Sequence, residues 1–411
     1  MPRYNNDFFM EIIERERYLN LIRQWIGKDL IIVLTGQRRV GKSCLLKQLG
    51  EKMSNEGNVI YIDKEKHEFD GLASYKELNE YIDSQLQNGH KNFILIDEVQ
   101  DIAGFERSLR SYYSSLDTEV IVTGSNAKML SSELTTLIGG RYKEIYVQPL
   151  DYSEFLKFHQ LADNDESLAS YIEYGGMPGL VNIGLDANNT PQYLKDIYST
   201  TLLKDVVMRN QIRNVNFLDK LVKFIADNIG KLISATSISK YMKSVGESIS
   251  PSVIINYLDM LAEAYLLHKV NRYDLHGKRI FESNEKYYFE DNGIRNAIIG
   301  GSRDSDIEKI LENIVYQQLV RMGYSVYVGQ LQAGEIDFVC SKSNGERAYV
   351  QVTYLIANEE TRQREFGNLK AIRDNYPKYV ISMSPLVRYS DEDGIAHLHL
   401  RHFLKHGFER G

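Results

Sequence analysis

Residues 36–43 read Gly-Gln-Arg-Arg-Val-Gly-Lys-Ser, a Gly-x-x-x-x-Gly-Lys-Ser spacing suited to holding phosphate. The apolar run Leu30–Thr35 precedes it, and the pattern predicts a helix over Ser43–Lys52. Glycines at both ends let backbone N–H groups turn toward phosphate oxygens, and a helix N-terminus adds partial positive charge. Lys42 would reach the β- and γ-phosphates of ATP, and the Ser43 hydroxyl would ligate Mg²⁺. Nucleotide contact is expected from Gly36, Gln37, Arg38, Arg39, Val40, Gly41, Lys42, Ser43 and Cys44. For Arg38 and Arg39 the partner is either nucleotide or a neighbouring domain. The plainer reading of Cys44 is a small buried helix residue.

A second apolar run, Phe93-Ile-Leu-Ile-Asp97-Glu98, ends in two carboxylates. Asp97 would belong to the Mg²⁺ shell, and Glu98 would orient and polarise the attacking water. The plainer reading is a strand that ends in a solvated turn. One more strand, Asn58–Asp63, falls between these two runs. That order, with Glu directly after Asp, resembles the additional-strand class of P-loop ATPases to which the AAA+ proteins belong. The resemblance implies a polar sensor of the γ-phosphate in Gly124-Ser125-Asn126, with Asn126 the first choice and Ser125 the second. Arg141, in Leu137-Ile-Gly-Gly-Arg141, would serve as an arginine finger, acting in trans if the chain forms a homo-oligomer. Its plainer reading is a surface arginine.

The elements that must position these residues are legible from patterning. Leu30–Thr35, Asn58–Asp63, Asn92–Asp97, Glu119–Thr123 and Glu144–Val147 are short β-branched runs alternating with helical patterns. Near-continuous apolar runs suit strands covered on both faces, hence an α/β domain with a parallel sheet over residues 1–150. Residues 151–215 read as a helical lid and connector, broken at Tyr174-Gly-Gly-Met-Pro-Gly179.

The chain has 411 residues, enough for several cores, and 49 Lys+Arg against 56 Asp+Glu give a net charge of −7. It is therefore not a basic nucleic-acid binder as a whole, although one surface can still be basic. Cys44 and Cys340 are the only cysteines, without metal-ligand spacing, which points to a reducing cytoplasmic setting. No run reaches the ~18 apolar residues that span a membrane, and the first residues carry no basic region followed by an apolar run.

Longer strings extend the resemblance. Ile-Asp-Glu-Val-Gln, Thr-Gly-Ser-Asn-Ala-Lys-Met-Leu-Ser-Ser-Glu-Leu, Gly-Gly-Arg-Tyr and Pro-Leu-Asp-Tyr-Ser-Glu-Phe accompany the phosphate loop. Tyr-Gly-Gly-Met-Pro-Gly, Lys-Tyr-Tyr-Phe-Glu-Asp-Asn-Gly and Leu-Glu-Asn-Ile-Val-Tyr follow. Together they resemble the prokaryotic AAA_14-type ATPases that carry a C-terminal DUF4143 domain. The resemblance covers almost the whole chain and implies an AAA+-like ATPase domain, a winged-helix middle and a PD-(D/E)xK nuclease-like C-terminal fold.

The residues agree with that outline. Over 216–302, Phe217–Ile229, Ser237–Val245 and Ser250–Tyr265 read as helices, and two β-rich runs flank His276-Gly277-Lys278. The third helix has Asp259 and Glu263 but no Lys or Arg. Basic residues fall instead at Lys240, Lys243, Lys269, Arg272, Lys278 and Arg279, so phosphate contact through a wing and a protein-binding role both stand. Residues 303–411 follow the order helix, three strands, helix, strand. A nuclease site there would use Asp337 as first metal carboxylate, with Glu312 in support. The acidic-x-Lys pair reads Gln351-Val-Thr353, which supplies neither charge. An inactive nuclease-like domain is therefore expected, unless Glu359, Glu360 or Arg362 replaces the lost groups.

Three functions follow. The first is an ATP-hydrolysing protein whose nucleotide state controls the winged-helix and nuclease-like domains, with DNA as partner. The second is an ATP-dependent signalling or scaffold switch acting on proteins. The third is an ATP-regulated, metal-dependent nuclease.

Overall fold

The computed structural model describes residues 13–115, 117–127, 139–277, 279–301, 304–331, 334–385 and 389–409. The chain forms two compact units. One holds residues up to Gly36 together with Gly41–Val147, and the other holds Gln37–Val40 together with Gln148–Gly411.

The first unit runs α1 (Glu16–Arg23), β1 (Ile31–Thr35), α2 (Lys42–Met53), β2 (Asn58–Asp63), α3 (Tyr75–Gln85), β3 (Asn92–Asp97), α4 (Phe105–Tyr113), β4 (Thr118–Gly124) and β5 (Tyr142–Tyr146). Its strands pair only in parallel, in the order β2-β3-β4-β1-β5. Every residue of β1 and β3 is buried, as their unbroken apolar runs require of central strands. Ile31, Val33, Ile94, Ile96, Val120 and Val122 pack with Leu78, Ile82 and Leu109 from α3 and α4. A capping box between Ser74 and Glu77 starts α3. The sheet brings β4 between β1 and β3, so the ends of the phosphate-loop strand and the Asp97 strand flank the end of β4.

The second unit begins with α5 (Tyr152–His159), α6 (Asp165–Tyr174), α7 (Leu180–Ile183) and α8 (Asn189–Thr200), which runs on into a π-helical turn, Thr201–Met208. Next come α9 (Val215–Asp227), α10 (Ala235–Ser244) and α11 (Pro251–Glu263). Ser234 and Ser250 cap the last two, and Pro251 occupies the first turn of α11, where its missing N–H costs nothing.

The remainder is β6 (Leu267–Asp274), β7 (Arg279–Phe289), α12 (Asn292–Ile299), α13 (Ile307–Arg321), β8 (Ser325–Gln330), β9 (Glu335–Ser341), β10 (Arg347–Thr353), α14 (Glu359–Lys370), β11 (Lys378–Ser382), β12 (Tyr389–Glu392), β13 (Ile395–His399) and α15 (Leu400–His406). One sheet has the order β12-β13-β11-β10-β9-β8-β6-β7. The β6–β7 hairpin continues it, because β6 pairs in parallel with β8 from Arg272↔Val328 to Asp274↔Gln330 and covers an otherwise open edge. An isolated bridge joins Ile233 to Glu285 of the same hairpin.

The glycine cluster after α6 has a packing reason. A Cβ on Gly176 would lie 2.2 Å from the Leu150 carbonyl, and one on Gly293 would lie 1.9 Å from the Tyr174 carbonyl. Buried Asp291 ties the two strings together, accepting from Gly176 N–H at 2.7 Å and from Ile294 N–H at 3.0 Å. Burial lifts its carboxyl to about 6, against the pull of those same N–H groups. Fully buried Arg295 next to it donates to the Ala226 carbonyl at 2.9 Å and to Asp306 at 2.8 Å.

Candidate nucleotide site

The phosphate loop leaves β1 through Gly36 (φ 139°) and enters α2 through Gly41 (φ 96°), both in conformations that glycine adopts without strain. Lys42, the first residue of α2, is buried, and its Nζ donates to the Gly36 carbonyl at 2.9 Å. The ammonium is thus held over the loop that it would share with phosphate.

Asp97 ends β3 and is buried. Burial raises its carboxyl above the ordinary range, while hydrogen bonds from the Thr123 and Ser43 hydroxyls oppose the rise. Thr123 Oγ1 donates to Asp97 Oδ1 at 2.5 Å. Ser43 and Asp97, assigned to Mg²⁺ from sequence, therefore touch. A hydroxyl paired with a buried carboxylate is the oxygen donor set that Mg²⁺ accepts together with phosphate oxygens and water.

Glu98 turns out of the strand in a left-handed conformation (φ 51°), and its N–H donates to Thr123 Oγ1 at 2.9 Å. Its carboxylate is buried, accepting from Ser125 Oγ at 3.2 Å and from the Gln100 amide. Asn126, the first choice for sensor, is buried one residue further on. Thr123 has no assigned role in the motifs legible in sequence. Its only signal is a hydroxyl residue closing an otherwise apolar strand, and it becomes significant because β4 lies beside β3.

Other expected residues fall differently. Cys44 is exposed, not buried, because Leu45, Leu46 and Leu49 occupy the inward face of α2. Arg141 is exposed, and its guanidinium donates to the Tyr113 hydroxyl and lies 5.9 Å from the centre of that ring. Leu137 and Ile138 before it are outside the described residues. Arg38 belongs to the second unit, where its Nε and Nη2 reach the Asp205 carboxylate at 2.9 and 3.1 Å.

In the C-terminal sheet, Gln351 Oε1 accepts the Asp337 N–H at 3.4 Å, and the buried Thr353 hydroxyl has no hydrogen-bond partner among the described residues. Glu312 and Asp337 both face Lys286 of β7. Glu359 and Glu360 are exposed in the first turn of α14, and Arg362 lies 5.6 Å from the Phe366 ring centre. Among the basic residues of the hairpin, Lys269 pairs with Glu285 at 3.4 Å, Arg272 donates to Gln330, and Arg279 is 3.7 Å from Asp274. Lys278 is outside the described residues.

Among the described residues, no three His, Cys, Asp or Glu side chains form a set able to hold a metal ion. Among the same residues, no helix is long and apolar enough to cross a membrane.

Comparison with known proteins agrees with the P-loop geometry. An uncharacterized protein of Haemophilus influenzae is 35% identical over 380 residues, covering 90% of this chain and 93% of the relative. One of Methanocaldococcus jannaschii is 30% identical over 380 residues, covering 89% of this chain and 82% of the relative. The AAA_14 family model, described as an AAA domain, matches residues 28–156. The chain belongs to one family with these two uncharacterized proteins and carries an AAA_14 domain.

The second matching model of this AAA_14 protein is a domain of unknown function, DUF8612, over residues 165–305. This corrects the expected DUF4143. The matched segment runs from α6 through the β6–β7 hairpin to the end of α12, and so stops short of the strands that follow. Among solved structures, the Walker-type ATPase of Pyrococcus abyssi is similar at 17% identity and a TM-score of 0.49, covering 69% of this chain and 95% of that one.

Proposed function

We propose that this AAA_14 protein binds and hydrolyses ATP with Mg²⁺, and that its nucleotide state controls a winged-helix and a nuclease-like domain in DNA binding. The observation that carries the ATPase reading is the arrangement at the end of β4. Thr123 bridges Asp97 and Glu98, Ser125 holds the Glu98 carboxylate, and Ser43 reaches Asp97. Ser43 would hold Mg²⁺ with Asp97 in its shell, and the ion would neutralise charge on the phosphates. Glu98 would accept a proton from the attacking water, and Lys42 would leave the Gly36 carbonyl for phosphate oxygen. Arg141, exposed beside Tyr113, would complete a neighbouring copy's site in an oligomer.

The winged-helix reading rests on the succession α9, α10, α11, β6, β7 and on the Ile233–Glu285 bridge. The DNA contact it offers is Lys240 and Lys243, both exposed on α10. Steady-state phosphate release tests the enzyme, and DNA affinity titrated against salt tests the partner. Phosphate neutralisation makes affinity fall steeply as salt rises. Absence of DNA binding at low salt rules out the DNA reading and leaves the ATPase reading intact.

One observation favours a second reading, a nucleotide switch that acts on a protein partner. Helix α11 carries no Lys or Arg and exposes Ile255, and the hairpin cations Lys269, Arg272 and Arg279 are already engaged by neighbours.

A further inference from the structure

The acidic cluster of the C-terminal sheet is built around an ammonium. Lys286 is supplied by β7, about fifty residues before Asp337 in sequence, and its side chain is 3% exposed. Its Nζ lies 2.6 Å from Glu335 Oε1, 2.8 Å from Glu312 Oε1 and 3.8 Å from Asp337 Oδ1. The carboxylates are themselves held. Glu312 also accepts from the Tyr288 hydroxyl, and Asp337 Oδ2 accepts the Val352 N–H at 2.8 Å.

We propose that Lys286 is a tethered cation standing where a nuclease-like domain would hold its divalent metal, so that this cluster takes no metal and performs no metal-dependent cleavage. The inference leans on the nuclease-like reading only for the expectation of a metal; the cluster itself is independent of it. Divalent cations need several ionised oxygens at about 2.0–2.6 Å with room for water. Here Glu335 Oε1 and Glu312 Oε1 lie within hydrogen-bond distance of Nζ, which brings three donors, and Asp337 Oδ1 is a further neighbour at 3.8 Å. Lys286 is nearly fully enclosed, with Glu335, Glu312 and Asp337 around its Nζ. Gln351 and Thr353, at the positions of the acidic-x-Lys pair, fit the same account. With the cation built in, neither a second carboxylate nor a lysine on β10 has a metal or a water to act on.

Mn²⁺ binding to the full, nucleotide-free chain, followed by calorimetry and by the spin-resonance signal of free Mn²⁺, tests this without ATP or DNA. Wild type is expected to bind no Mn²⁺ at the cluster. Lys286→Met is expected to gain one Mn²⁺ per chain, at least about tenfold tighter than wild type, and Lys286→Met/Asp337→Asn to lose it again. Wild-type binding that disappears in Asp337→Asn overturns the proposal, as does a folded Lys286→Met chain that gains nothing. If Lys286→Met unfolds, refolding on addition of Mn²⁺ supports the proposal, and a chain that Mn²⁺ cannot rescue overturns it. Neither result alters the ATPase reading, whose Lys42, Ser43, Asp97 and Glu98 lie in the other unit.

Discussion

Thr123 Oγ1 lies 2.5 Å from Asp97 Oδ1 and donates to it, while the same oxygen accepts the backbone N–H of Glu98 at 2.9 Å. One hydroxyl at the end of β4 thus fixes the carboxylate proposed for the Mg²⁺ shell and the backbone of the residue proposed to activate water. Thr123→Val keeps the shape but leaves a buried donor and acceptor unmet, which costs about 1–3 kcal/mol. We expect a lower melting temperature and a fall in kcat larger than any change in KM. Thr123→Ser should restore both in the same assays.

Glu98→Gln removes the proposed base and keeps a side chain that can still accept from Ser125. Phosphate release should fall by about 10²- to 10⁴-fold while nucleotide affinity is retained. Wild-type turnover in this variant would sink the assignment of Glu98. Ser125→Ala removes the hydrogen bond at 3.2 Å and should lower kcat by less, leaving KM near wild type.

Lys42→Ala removes the ammonium that sits on the Gly36 carbonyl. A charged hydrogen bond to phosphate contributes about 1.5–3 kcal/mol, so ATP affinity should drop by at least about tenfold. Equilibrium titration with a fluorescent ATP analogue measures this directly.

Arg38 and Asp205 form a nearly enclosed ion pair, with side chains 14% and 2% exposed. Removing one partner strands a charge and should cost about 3–5 kcal/mol, whereas replacing both with apolar side chains should cost much less. Asp205→Ala is therefore expected to be less stable than Arg38→Met/Asp205→Leu. Denaturant unfolding of the three chains decides; equal losses would mean that the pair contributes nothing of its own.

Asp291 gives a pH dependence whose sign is fixed. Its carboxyl rises from 3.8 when unfolded to about 6 in the fold, so the folded state binds more proton between those values. Stability should fall as pH rises from 4 to 6 and level off above, by an amount on the order of 3 kcal/mol. In Asp291→Asn this part of the slope should vanish, which urea unfolding at several pH values will show.

Sequence alone determined the phosphate loop, the Asp97-Glu98 strand end, the α/β class and much of the order of elements as far as β11, because each is written in local spacing, whereas α12, β12, β13 and α15 emerged only in the structure. A Gly-x-x-x-x-Gly-Lys-Ser loop after an apolar strand needs no distant residue to be recognised. Apolar periodicity likewise separates buried strands from helices, and caps such as Ser234 and Ser250 mark where helices start.

The tertiary structure alone decided what depends on neighbours far apart in sequence. Strand order put Thr123 against Asp97, twenty-six positions away, and made an unremarked hydroxyl part of the site. Which face of α2 turned inward decided that Cys44 is exposed. The pairing of β6 with β8 carried Lys286 into a cluster whose lysine is missing from its own strand. A charge can be supplied from any strand that the sheet brings near, so the loss of Lys from Gln351-Val-Thr353 showed only that the local motif was broken. Packing of the sheet, which no short window of sequence contains, determined where the positive charge went.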